Sequence, residues 1–355
     1  MASSITVSNR PDSVDFDLSL IDFQTNYNII IHYVYDPLNH FEEEFKWLYD
    51  IDDNTLVILW HPVEMGAWDQ QWISKFNAVL KDRPFKFIYL TGCSSRLDLN
   101  HHFDIEFDYK FLPVFDIRVK DTWRYPGGIV FEKPNKFCFL NGKDVEHRRY
   151  ILYQLFQHGL LNQGTVSYNC TNTKQHYRDF TLGRNFTPRQ LQESDIAQRV
   201  TESIIPIKLD RSNFVGNLPR KTFTDCYVNI VCETDFVNVP FSYNRSFVTE
   251  KTFNAIANNQ LFFIVGHAGS LQTLRDIGYR TFGDIINEDY DNILHNGDRL
   301  DAVTKEILRF LDRPISEIRK DYERAYSIIE HNRNFLFSQS LNQRMQTIVD
   351  EYARN

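Results

Sequence analysis

The stretch Ser246-Phe-Val-Thr-Glu-Lys-Thr-Phe-Asn-Ala-Ile-Ala257 places a threonine, an acid and a lysine directly before an apolar run. Thr249 suits a helix N-cap, because its hydroxyl can accept from a first-turn N–H. A helix start of this kind presents N–H groups and the positive end of the helix dipole, and both favour an anion such as phosphate. Lys251 adds a mobile positive charge suited to a diphosphate, and Glu250 can accept hydrogen bonds from ribose or sugar hydroxyls. The same residues also make an ordinary helix start, with Glu250 as a first-turn acid and Lys251 solvated.

Other clusters point to less specific chemistry. His101-His102 with Asp104 and Glu106 invites a metal, but adjacent histidines without i, i+4 spacing are a weak ligand set and read as a solvated loop. The triplets Asp15-Phe-Asp17, Asp50-Ile-Asp52 and Asp289-Tyr-Asp291 do not end a strong apolar strand, where a cation-gripping pair is needed, so a metal-independent protein is expected. Gly266-His-Ala-Gly-Ser270 has neither GxGxxG spacing nor a Walker ending, which argues against dinucleotide or ATP binding. Cys93, Cys138, Cys170, Cys226 and Cys232 are scattered without metal-ligand spacing and read as free thiols in a reducing compartment.

Two domains are expected of 355 residues, since single cores stop growing well before that length. With 42% hydrophobic and 15% aromatic residues the chain can bury ample surface. A formal charge of −8 gives no electrostatic reason for tight, sequence-independent binding to nucleic-acid phosphates. The amino-terminal residues lack a basic stretch followed by an apolar one, and no apolar run approaches the roughly 20 residues of a membrane span, so a cytoplasmic protein is expected.

The elements that must position these residues are legible as two α/β series. Asn28 to Tyr35, Thr55 to Trp60 and Phe85 to Leu90 are β-branched and aromatic runs, with a predicted helix at Asp69 to Leu80 between the last two. Tyr125-Pro-Gly-Gly128 is the strongest turn signal and marks a boundary. Beyond it come a strand Lys136 to Leu140, a tight turn at Asn141-Gly142, and a helix Val145 to Gly159 with Tyr150, Ile151, Leu155 and Phe156 inward. Strands Thr165 to Tyr168, Tyr227 to Cys232 and Leu261 to Val265 follow, with helices at Pro188 to Glu202, Thr249 to Asn258 and Leu271 to Ile277. Residues 301–355 read as helical, with Pro314 as a break and Ser316 as the N-cap of a helix through His331. The expected fold class is therefore α/β, with Rossmann-like lobes at 1–128 and 129–300 facing a cleft, and a helical segment at 301–355.

Phe247-Val-Thr-Glu-Lys251, preceded by Val231-Cys-Glu-Thr234 and followed by Asn254-Ala-Ile-Ala-Asn-Asn-Gln-Leu-Phe-Phe-Ile-Val-Gly266, resembles the donor-binding signature of the α1,3-fucosyltransferase family, with Phe where Tyr is usual. Lys136-Phe-Cys-Phe-Leu-Asn-Gly142 and His147-Arg-Arg149 resemble the first strand and helix start of that family's donor lobe. Thr-Glu-Lys-Thr-Phe253 and Gly269 to Arg275 are also similar to segments of glycosyltransferase-like proteins of large DNA phages and other viruses.

The resemblance covers about Lys136 to Arg280 and implies a two-lobed, GT-B type glycosyltransferase that moves a fucose-like sugar with inversion from a nucleotide-diphosphate sugar. That sugar nucleotide is a co-substrate, with no further cofactor and no metal. Arg148 or Arg149 and Lys251 would neutralise the diphosphate, and Glu250 would hold the sugar or ribose. Asn141, Glu233, Tyr243 and Thr249 are further donor contacts. A hydroxyl acceptor, such as a glycan, needs a base. The family places a Glu after an N-lobe strand, and here Glu64 is the first candidate and His61 the second, although the family's Glu-Ser-Pro wording is absent and His61-Pro62 also reads as a strand-ending turn. Modified bases of viral DNA are the alternative acceptor, disfavoured by the acidic charge, and a non-catalytic binding or virion protein is the alternative from another class.

Overall fold

The computed structural model describes residues 5–8, 28–33, 50, 55–61, 86–91, 94–95, 108–111, 115–123, 128–168, 187–204, 218–234, 236–237 and 245–353. They form two compact units, residues 1–114 with 339–355 and residues 115–338. The division after Val114 differs from the turn-marked boundary at Gly128, because helix α1 (Phe115–Trp123) belongs with the second unit. Its Trp123 Nε1 donates to Asn254 Oδ1 at 2.6 Å, and its Asp116 accepts from the Tyr279 hydroxyl at 3.1 Å. The helices expected as a separate carboxy-terminal segment are likewise shared out between the units at Ser338.

The first unit holds a parallel sheet of β1 (Ile5–Ser8), β2 (Asn28–Tyr33), β3 (Thr55–His61), β4 (Lys86–Thr91) and β5 (Asp108–Phe111), in that spatial order. Ile31, Leu56, Val57, Ile58, Leu59 and Ile88 are buried, as a parallel sheet covered on both faces requires. Three of these strands start within a residue of their expected positions, whereas β1 and β5 lie where the sequence shows only loose pattern. The helix expected at Asp69 to Leu80 lies outside the described residues.

The second unit is built on β6 (Asn135–Asn141), β7 (Gly164–Tyr168), β8 (Cys226–Cys232) and β9 (Leu261–Val265), all parallel in the order β9-β8-β6-β7. Every residue of β8 and β9 is buried, and this is why they read as continuous apolar runs. Helices α2 (Glu146–Gln157), α3 (Pro188–Ile204), α4 (Glu250–Ala257), α5 (Ser270–Asp276), α6 (Asn296–Leu311), α7 (Ile315–Arg324) and α8 (Tyr326–Ser338) belong to it, with a single helical turn at Lys221–Thr224. Helix α4 packs with α1 and α8, and α2 with α3 and α6. Helix α9 (Leu341–Ala353) belongs to the first unit.

Two expectations about helices change. Phe156 is exposed at 43%, whereas Leu152, one turn earlier on the same side of α2, is buried, so the covered apolar stripe ends at Leu155. Pro314 rather than Ser316 is the N-cap of α7, because proline's missing N–H and fixed φ suit a helix start, and that helix ends at Ala325 instead of running to His331.

Three helices end in the same way. After α2, α4 and α5, a residue with positive φ (Gly159, Asn259 and Gly278) lets paired N–H groups fold back on the last turn. For α4 the bonds run from Asn259 N to Ile256 O at 3.1 Å and from Gln260 N to Ala255 O at 3.0 Å. At Gly278, φ is 101° and an added Cβ would lie 2.6 Å from the Phe335 ring. Gly278→Ala should therefore lower stability by about 1–3 kcal/mol, read as a lowered denaturant midpoint with unchanged slope. A midpoint equal to that of the parent would show that the α5–α8 packing yields freely.

Candidate functional site

The order β9-β8-β6-β7 reverses direction between β6 and β8, and in open parallel sheets ligands bind beyond the carboxyl ends of the strands at such a reversal. Asn141 ends β6, Glu233 follows β8, and α2 starts shortly after Asn141. The described strands of the first unit run in sequential order and contain no such reversal.

Glu233 organises the edge. It is fully buried, and its carboxylate accepts from Thr249 N at 3.0 Å, Thr249 Oγ1 at 2.5 Å and Thr252 Oγ1 at 2.7 Å. It thus stands in front of the first turn of α4, where a negative charge meets the positive end of the helix dipole. Thr249 is the N-cap, its hydroxyl accepting from Lys251 N at 3.4 Å.

Lys251 is the half-buried cation of this end. Its Nζ donates to Thr234 Oγ1 at 2.9 Å, Thr249 Oγ1 at 3.0 Å and Glu250 Oε1 at 3.2 Å, and lies 3.9 Å from Glu233 Oε2. The structure therefore brings together Glu233, Thr249, Glu250 and Lys251. Thr234 and Thr252 join them unforeseen, and the only sequence signal for them is a pair of threonines three apart, at 249 and 252, opposite a carboxylate 16 to 19 residues earlier.

The two arginines have other occupations. Arg148 is buried, and its guanidinium donates to the carbonyls of Cys232 at 3.2 Å, Glu233 at 2.9 Å and Lys143 at 3.3 Å. It ties the end of β8 to the loop that follows β6. Arg149, also buried, pairs with Asp144 and Glu146 at 3.3 Å, and the Tyr168 hydroxyl donates to the same Asp144 at 2.6 Å. Both are placed at the expected helix start, with their charge directed to the protein's own acceptors.

His147, between Asn141 and these arginines in the pattern but passed over there, stacks on Phe236 with centroids 5.1 Å apart. Burial, then the neighbouring Arg148 and more weakly Arg299 and His267, hold its imidazole well below the usual pKa, against a hydrogen bond to the Glu233 main chain. Arg299 also lies over Phe236, its guanidinium 4.5 Å from the ring and its Nη2 donating to Phe236 O at 2.6 Å.

Asp289-Tyr-Asp291, read as chance, caps α5. The Asp291 carboxylate accepts from Leu271 N at 3.0 Å and Gln272 N at 3.1 Å, in place of a side-chain cap at Gly269. His61 is the last residue of β3, while Glu64, Tyr243 and the group His101, His102, Asp104 and Glu106 lie outside the described residues.

Two outcomes follow from this geometry. Glu233→Gln removes the charge that three donors and Lys251 face, and should cost about 3 kcal/mol of unfolding free energy; a loss within measurement error would show that α4 is held by packing alone. Neutral His147 is favoured by the fold, so its contribution is complete above the unfolded imidazole pKa of 6.5 and is lost as pH falls below it. The unfolding free energy of the parent should then fall more steeply between about pH 6.5 and 5 than that of His147→Asn, and parallel curves would refute the depressed pKa.

No protein-family model matches the chain, and no curated protein matches it. Among solved structures it is similar to a DNA-modifying beta-glucosyltransferase described with and without the substrate uridine diphosphoglucose, at 10% identity over 92% of this chain and 83% of the other, with a TM-score of 0.44. A UDP-forming alpha,alpha-trehalose-phosphate synthase from Burkholderia xenovorans is similar at 10% identity over 92% of this chain and 74% of the other, with a TM-score of 0.47. T4 phage BGT in complex with UDP and Mn2+ is similar at 10% identity over 92% and 81%, with a TM-score of 0.36. At such scores the likeness carries no weight for function, which must come from the residues themselves.

Proposed function

We propose that the protein is a glycosyltransferase that binds a nucleotide-diphosphate sugar at the carboxyl edge of the second unit's sheet and transfers the sugar to a hydroxyl acceptor. The observation that carries this reading is the clamped start of α4. A helix N-terminus, a half-buried lysine and two carboxylates stand together next to the reversal in strand order. Lys251 is the positive group that a diphosphate would meet there, and the charge that grows on the diphosphate as the sugar departs would be stabilised by a donor already held in place.

Lys251 has the leading role. Its hydroxyl and carboxylate partners orient it without burying it, so the ammonium can exchange them for phosphate oxygens. Glu250 is the acceptor for sugar or ribose hydroxyls. Arg148 and Arg149 contribute positive potential, the first holding main-chain carbonyls at the edge through its terminal nitrogens and the second paired with Asp144 and Glu146. A fucose-like sugar, inversion, metal independence and Glu64 or His61 as base belong to the same proposal and rest on the resemblance of the Thr-Glu-Lys segment.

Thermal-shift measurements with GDP, UDP, CDP and dTDP should give one clear rise in melting temperature, because a ligand that binds only the folded state stabilises it. Lys251→Ala should abolish that rise and turnover while the ligand-free melting temperature changes little. Unaltered nucleotide affinity of Lys251→Ala in calorimetry would overturn the assignment. Retention of a duplex bearing hydroxymethylated bases in a gel shift, falling steeply with salt, would turn the acceptor from a glycan to DNA.

A further inference from the structure

Lys251 leaves unexplained a second set of polar groups at the same sheet edge. Asn141 is 5% exposed, and neither the oxygen nor the nitrogen of its carboxamide has a hydrogen-bond partner among the described residues. His147 is equally buried, and its Nε2 has none either. Its bond to the Glu233 main chain must therefore involve Nδ1, and because that bond favours the proton, Nδ1–H donates to the carbonyl. In the neutral ring the lone pair then lies on Nε2, which is an acceptor without a hydrogen.

The chemistry of this pair is unlike that of the α4 end. A lone pair repels a phosphate oxygen but matches a hydroxyl hydrogen, and a carboxamide offers one donor side and one acceptor side, as a sugar diol requires. Leaving such groups buried and unpaired costs about 1–3 kcal/mol each, so stability alone would favour leucine over asparagine at 141.

We propose that Asn141 and His147 form a hydroxyl-binding subsite at the β6–β8 reversal, which takes sugar or ribose hydroxyls of the nucleotide sugar while the Lys251 end takes its diphosphate. This rests on the nucleotide-sugar reading and adds a direction to it, since the two ends of the site admit chemically different parts of one ligand.

The test uses the full chain with UDP-glucose, UDP, GDP-fucose and GDP as calorimetric probes. His147→Asn keeps a donor for the Glu233 carbonyl and deletes the Nε2 acceptor, and Asn141→Leu keeps the shape and deletes the polarity. Each should weaken binding of the nucleotide sugar that the parent binds by about tenfold. Unchanged affinity for the free nucleoside diphosphate would assign the subsite to the transferred sugar, and a matching loss would assign it to ribose. Asn141→Leu should also melt at a higher temperature than the parent, a gain in stability with a loss in binding that a merely structural asparagine would not give. Parent affinity for all probes in both variants, with binding still lost in Lys251→Ala, would overturn the subsite alone. A parent that binds none of these four probes, and neither CDP nor dTDP, would overturn the nucleotide-sugar reading and the subsite together.

Discussion

The carboxylate of Glu233 is the constraint on which the candidate site depends. A charge with no exposure to water survives in the fold only if donors surround it, and here they all come from the first turn of α4. The main chain of the same residue is gripped from the other side by Arg148 and His147. One residue thus joins the starts of α2 and α4 across the reversal between β6 and β8. The side chains of the candidate site are held in place by the protein's own groups, and this is the condition under which electrostatic stabilisation is effective.

Rigidity continues outward from that residue. Phe236 is in contact with both the His147 ring and the Arg299 guanidinium, and Arg299 also donates to the Gly266, Ile293 and Leu294 carbonyls. Burial lowers the pKa of Arg299 to about 10, yet its carbonyl partners leave each nitrogen occupied. Arg148 and Arg299 therefore hold main chain in place and Arg149 is paired with the carboxylates of Asp144 and Glu146, whereas Lys251 is met by two threonine hydroxyls and the partly exposed Glu250.

Much of the second unit is legible in its sequence because local chemistry and tertiary role coincide. Leu261 to Val265 is apolar throughout since both faces of the sheet are covered, and Thr249, Asn259, Gly159 and Gly278 mark helix ends with the backbone preferences those ends need. Phe115–Trp123 is hard to see because Asp116, Lys120 and Thr122 dilute its apolar stripe, and its place is set by contacts with Asn254 and Tyr279 far along the chain. At the site, Glu250, Lys251 and Glu233 are readable from one motif. The internal partners of Arg148 and the importance of His147 are not, since carbonyl acceptors leave no trace in residue type. No pattern rule joins an acid at 233 to threonines at 249 and 252.

The cap on α5 illustrates what such long-range pairing entails. The first turn of that helix leans on Asp291, and Gly269 N donates to the Asp291 carbonyl at 2.7 Å, so the turn and the 3₁₀ segment Asp289–Asn292 close one another. Neither half has its hydrogen bonds complete while the other is open. The amide hydrogens of Leu271 and Gln272 must then exchange with solvent through the same opening event that releases Asp291, which makes this stretch a single cooperative unit beside the sheet edge.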